Sequence, residues 1–320
     1  MNHGKILTCL FLLFLCACHN NSADKREDGA ELVYEPDGGS AQNPAFSPDG
    51  ETILFTLFHE GYNEGPAGLY TISDDEPVVL LDEPDCDNVN LPGASWNRVI
   101  NRITFASDRE DTEEIWIIKP DGDGLFRVTN HSGLDTSYTE PSFSPDGQWI
   151  VFEVKGQAPE DQQQGSIWKV RADGTGLVQL TDGPGGGTDD RQPNWSPSGN
   201  RILFQRRITG SDDWNIYTMD TAGSDIQQVT DAPWSDTDAS WSPDGQYIVY
   251  SSNYGGIPMP NIFVIPADGG TPRRITFNEE NEDAAPSWSP DGRWIAFESH
   301  DDENTPASIW RIEVPDSILR

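Results

Sequence analysis

Six segments built on one pattern recur along almost the whole chain: NPAFSPDGETILF (43–55), GASWNRVINRITF (93–105), EPSFSPDGQWIVF (140–152), QPNWSPSGNRILF (192–204), DASWSPDGQYIVY (238–250) and APSWSPDGRWIAF (285–297). Their aromatic anchors, Phe46, Trp96, Phe143, Trp195, Trp241 and Trp288, are 46 to 52 residues apart. A strand-rich unit repeating at that period cannot bury its apolar faces alone, and stacking the copies around an axis solves the problem as a propeller with one blade per repeat. A second signature follows each anchor, as in EIWIIKPDGDG (114–124) and NIFVIPADGG (261–270). Each repeat therefore reads as four strands, A to D. Strand A carries the anchor, and Ser-Pro-Asp-Gly makes a type I turn into strand B, with Pro setting φ and Gly supplying a positive φ at the end. Strand B is the β-branched and aromatic run exemplified by Ile248-Val249-Tyr250, strand C the alternating run around Ile262 and Val264, and strand D the Arg274-Ile275-Thr276 type of segment after an Asp-Gly or Gly-Gly turn.

The sixth repeat ends after strand C at Ile312, whereas Leu32 to Glu35, ahead of the first anchor, aligns with strand D of the other repeats. The expected fold is all-β: a six-bladed β-propeller of four-stranded antiparallel blades over 31–315, its last blade closed by the N-terminal strand. Closure removes the open edges that invite aggregation. Residues 316–320 are left as a tail, and the closed ring is expected to be a monomer.

Ahead of the repeats, Met1 to Lys5 is short and carries one Lys, and Ile6 to Ala17 is an apolar run of twelve residues, too short to span a bilayer. It reads as an export signal over 1–17. Its end, Leu15-Cys16-Ala17-Cys18, resembles the bacterial lipoprotein box, which implies a lipidated Cys18 as the mature N-terminus, an outer-membrane or envelope location, and a flexible tether over 18–30. An ordinary cleaved signal peptide is the alternative. Of the four cysteines only Cys86 then remains in the folded domain, so an intramolecular disulfide is excluded. Its acidic surroundings raise rather than lower a thiol pKa, so it reads as inert.

The W-S-P-D-G anchor, the I-W/Y strand, the D-G turn and the L/I/V-T strand together resemble the WD-like repeats of the TolB propeller family. The resemblance implies the fold; similar repeats also occur in oligogalacturonate lyases and prolyl oligopeptidase-type enzymes. Two departures stand out. TolB carries an α/β domain before its propeller, whereas here the propeller follows a tether directly, and repeat 2 replaces Ser-Pro-Asp-Gly by Asn97-Arg98-Val99-Ile100-Asn101.

In an antiparallel blade the B–C and D–A loops share one face and the short A–B and C–D turns the other. The long, dissimilar loops on the first face are where function is expected on a rigid scaffold. Thirty-one of the 54 acidic residues fall in these loops, against five basic ones, and the chain as a whole carries a net charge of −34. Nucleic acid is therefore excluded as a partner, since phosphate binding needs a basic footprint. Asp190, Asp236 and Asp283 each stand five residues before an anchor. A ring of these carboxylates would suit calcium, with a solvated, salt-adapted surface as the alternative.

Of eleven Trp, nine occupy recurrent strand positions, while Trp214 and Trp234 do not recur. Both are expected on the acidic face, where with Tyr254 and Asp236 they would form a site for a protein or peptide partner, a basic one among them, or for a glycan. No G-x-S-x-G elbow or H-E-x-x-H motif is present. The reading is a non-catalytic, lipid-anchored envelope propeller. The alternative is a polysaccharide-modifying lyase or hydrolase with a metal site on the loop face, for which His59 and His300, with acidic neighbours in adjoining blades, are the candidate ligands.

Overall fold

The computed structural model describes residues 25–73, 76–82, 89–90, 96–110, 112–131, 136–156, 164–301 and 305–318. Six antiparallel sheets, one per repeat, are arranged as blades about a central channel. Blade 1 has strands Ser40–Phe46, Ile53–Phe58, Ala67–Ile72 and Val78–Asp82, and blades 3, 4 and 5 repeat the order. In blade 2, strand A is divided into Val89–Asn90 and Trp96–Asn97, both paired with strand B. Among the described residues no helix is long and apolar enough to cross a membrane.

Strand B is apolar on both faces because each blade is covered by the next. One aromatic per blade, Phe55, Phe105, Phe152, Phe204, Tyr250 and Phe297, is completely buried. The core accordingly falls into clusters that each join consecutive blades; one puts Phe55 and Tyr70 of blade 1 with Ala296 and Ile309 of blade 6. Truncating any of these rings to Ala should cost about 3–5 kcal/mol.

The Ser-Pro-Asp-Gly turns form as the sequence predicts. In blade 1 the Gly50 N–H donates to the Ser47 carbonyl at 2.9 Å, the Ser47 hydroxyl to Asp49 at 2.5 Å, and Gly50 takes φ +78°.

Ring closure is also as expected. Glu31–Tyr34 pairs with Ser308–Glu313 in the register Glu31 to Arg311 and Leu32 to Trp310. The ordered ends extend further than the sequence suggests. Residues 25–30, assigned to the tether, fold back in a hairpin in which Lys25 bridges to Glu31 and Ala30 is fully buried. Ile318, assigned to the tail, is 3% exposed and packs in the same cluster as Ala30. Both ends pack into the apolar cluster between blades 5 and 6.

Strand A of blades 1, 3, 4, 5 and 6 carries a β-bulge three residues before its anchor. In blade 6, for example, Ala284 pairs with Glu298 but Ser287 with Ala296. The extra residue takes a left-handed conformation: Asn43, Glu140, Gln192, Asp238 and Ala285 have φ between 47° and 55°.

Candidate binding site on the loop face

The loops leaving blade 4 and crossing blade 5 bring Trp214, Trp234, Asp236 and Tyr254 into one sector. The Asp236 N–H donates to the Trp214 carbonyl at 2.9 Å. The Asp236 carboxylate accepts the Ser252 hydroxyl at 2.5 Å, and that hydroxyl oxygen accepts the Tyr254 N–H at 3.0 Å. Next to them the Ser235 N–H donates to Asn253 Oδ1 at 3.0 Å. Trp234 lies close over the loop glycine, where a Cβ on Gly256 would sit 3.3 Å from its ring. Tyr254 meets Phe263 edge-on at 5.8 Å.

The two indoles are not equivalent. The guanidinium groups of Arg191 and Arg207 lie 5.1 and 4.8 Å from the Trp214 ring, and both are fixed by Asp189 at 2.9 and 3.0 Å. Trp214 is thus held in a frame of cations, while Trp234 and Tyr254 are half-buried and rest on loop and core. Asp236 is 1% exposed, and burial pushes its carboxyl up to about 6.

The three aspartates expected to form a carboxylate ring have separate partners. Asp190 is held by Arg206 at 2.6 and 2.9 Å, Asp236 by Ser252, and Asp283 by Arg26 at 2.9 and 3.0 Å. Each faces its own blade because the bulge changes the parity of strand A between the aspartate and the anchor. His59 pairs with Asp82 at 3.1 Å, whereas His300 packs at a tilt against Tyr62, with ring centroids 4.4 Å apart. Among the described residues no group of three or more His, Cys, Asp or Glu is placed to hold a metal ion. Cys18 and Cys86 lie outside the described residues.

The left-handed residues Asn43, Glu140, Gln192, Asp238 and Ala285 line the neck of the channel. Three of their N–H groups are taken up by the preceding blade: that of Asn43 by Glu298 at 2.7 Å, that of Gln192 by Glu153 at 3.3 Å and that of Asp238 by Gln205 at 3.0 Å. This inter-blade staple went unrecognised in the sequence. Its signal is a polar residue directly after the buried strand B aromatic, in Phe152-Glu153, Phe204-Gln205 and Phe297-Glu298. Glu298 also accepts the Tyr62 hydroxyl at 3.0 Å, and burial pushes its carboxyl up to about 7.

Comparison with known proteins places this architecture. An uncharacterized protein of Agrobacterium fabrum is 29% identical over 166 residues, 48% of this chain and 53% of its own length; the chain thus spans about half of that relative. The structure of a putative TolB from Agrobacterium tumefaciens superposes with a TM-score of 0.62 at 21% identity, covering 88% of this chain and 93% of that one. An oligogalacturonate lyase in complex with manganese superposes with a TM-score of 0.58 at 17% identity, covering 91% and 81%. At these identities the two superpositions establish the shared fold. The TolB beta propeller domain matches residues 29–212 and 188–317, and with six four-stranded blades closed by its own N-terminal strand, the chain belongs to that family.

Proposed function

We propose that this is a non-catalytic propeller, held at the cell envelope by a lipid on Cys18, that binds a protein or peptide partner through the Trp214–Trp234–Asp236–Tyr254 sector. The carrying observation is that, of the two tryptophans without a counterpart in the other repeats, Trp214 is tied by hydrogen bonds to Asp236 and through Ser252 to Tyr254, while Trp234, two residues before Asp236, lies against Gly256 of the same loop as Tyr254. Large, rigid aromatic side chains on a fixed frame are what binding hot spots use. The acidic loops around them favour a basic partner over an acidic one. Affinity capture from envelope extract, comparing the unaltered protein with Trp234→Ala, tests the reading: a partner recovered equally by both would defeat it. Mass spectrometry of the mature N-terminus tests the anchor separately, and an unacylated Cys18 would remove it.

One observation favours a second reading, a polysaccharide-modifying enzyme. Glu298, with a carboxyl near neutrality, stands hydrogen-bonded to Tyr62, whose ring packs at a tilt against His300, and such perturbed clusters are enriched at catalytic sites. Release of sugar products from acidic or neutral polysaccharides, lost in Glu298→Gln, would establish it; no release excludes it for the substrates tried.

A further inference from the structure

Five blades pass from strand A to strand B on a proline, and blade 2 does so on an arginine. The residues two beyond the anchors, Pro48, Arg98, Pro145, Pro197, Pro243 and Pro290, ring the channel mouth on the turn face, opposite the loop-face sector. With the aromatic anchors they line a cavity of about 330 Å³, and Arg98 is the one charged residue in its lining. That volume is at the lower end of the range of small-molecule sites.

Neither packing nor turn geometry calls for an arginine here. A Cβ on Gly50 would lie 3.2 Å from Pro290, one on Gly199 3.5 Å from Pro145, and one on Gly245 3.7 Å from Pro197, so these three prolines abut the turn glycine of the next blade. For Gly147 of blade 3 the corresponding neighbour is Ile100, at 2.8 Å, which takes over the packing role. The turn itself is held by Asn97, whose Oδ1 accepts the N–H groups of Val99 and Ile100 at 2.8 and 3.1 Å. Its amide donates to the Ser144 carbonyl at 2.8 Å. Arg98 is exposed and pairs with no described residue. The nearby turn carboxylates do not compete for the cavity: Asp49, Asp146, Asp244 and Asp291 accept hydrogen bonds from their own serines at 2.5 to 2.6 Å, and none is in the lining.

We propose that this mouth is a second binding site, for a carboxylate with a flat apolar body. Prolines and indole edges receive the body, and the Arg98 guanidinium receives the carboxylate through its planar fork. A single unpaired cation, on a face whose other turns carry four aspartates, favours a monoanion over a phosphate dianion. The same chemistry is offered by a free aryl carboxylate and by an aromatic C-terminal residue of a peptide.

Because Trp96, Trp195, Trp241 and Trp288 line the cavity, indole fluorescence should report its occupancy. The probes are 3-phenylpropionate and its amide, and a tetrapeptide ending in phenylalanine with a free or an amidated terminus. A saturable change with the free acid or the free-terminus peptide, at least tenfold weaker with the matching amide and with Arg98→Gln, supports the site. Which probe binds identifies the source of the carboxylate. Arg98→Lys should keep part of the preference for acid over amide, and Trp234→Ala, on the other face, should leave binding unchanged. Equal binding of acid and amide, a preference that survives in Arg98→Gln, or no saturation at millimolar concentration overturns the proposal.

Discussion

Arg26 and Asp283, 257 positions apart, form a bidentate ion pair at 2.9 and 3.0 Å that fastens the N-terminal segment across blade 6. The Asp283 side chain is completely buried and that of Arg26 is 16% exposed, with its guanidinium 5.1 Å from the Phe297 ring and 4.8 Å from that of Trp310. Arg206 of blade 4 occupies the same position over Phe204 and Tyr217 and grips Asp190. Blade 6 thus borrows from the N-terminus an arginine that blade 4 draws from its own strand B.

Arg26→Ala leaves a buried carboxylate without its cation and should cost about 3–5 kcal/mol. Adding Asp283→Ala should recover part of the loss, because the unpaired charge goes with it. Urea unfolding of the two variants measures both effects, and equal midpoints for Arg26→Ala and the unaltered protein would contradict the latch.

Removing Glu31–Tyr34 takes strand D from blade 6 and bares the edge of Ser308–Glu313. Loss of several hydrogen bonds and of the Val33 and Tyr34 contacts with the blade 6–blade 1 core should lower stability by several kcal/mol, at roughly 1 kcal/mol per hydrogen bond plus the apolar burial. A melting temperature unchanged by the deletion would rule out closure through this strand.

Stability should fall as pH rises through neutrality. Glu298 has its carboxyl pushed up to about 7, chiefly by burial, so its folded pKa lies above the unfolded one. Its contribution is complete below the unfolded value, about 4.3, and is lost as pH rises through the folded one. Asp236, at about 6 for the same reason, acts in the same direction over a lower range. Between about pH 5 and about pH 8 the Glu298 share amounts to roughly 2 kcal/mol. Denaturant midpoints across that range should show the decline, and Glu298→Gln should flatten it.

Trp214→Ala and Trp234→Ala should separate. Loss of Trp214 removes the ring beneath two guanidinium groups, each contact being worth about 0.5–1 kcal/mol at a partly exposed site, and should destabilise by about 1–2 kcal/mol. Trp234→Ala, at a half-buried loop position, should remain within about 0.5 kcal/mol. Thermal scans of the two variants test the distinction.

Asn97→Ala should weaken the junction of blades 2 and 3. It strips the caps from the Val99 and Ile100 N–H groups and the donor from the Ser144 carbonyl, at a cost of about 2 kcal/mol. Hydrogen exchange at Val99 and Ile100 should accelerate; unchanged protection would refute the capping role.

The repeat spacing, the turn residues and the missing strand D of the sixth repeat determined the number of blades, their strand order and the closure through Leu32. All of these are local matters: a turn is specified by the residues within it, and a buried strand by its own run of apolar side chains. The loop sector around Trp214 and Trp234 was legible for a related reason, since a residue that fails to recur in a repeat is conspicuous. What the aspartates at 190, 236 and 283 bind, by contrast, was decided by the tertiary structure. A single bulge residue in strand A changes which face each aspartate occupies, and its partner is an arginine sixteen residues away in blade 4 but 257 away in blade 6. The channel staples made by Glu153, Gln205 and Glu298 belong to the same category. They join different repeats, and only the closed ring brings their partners within hydrogen-bond distance.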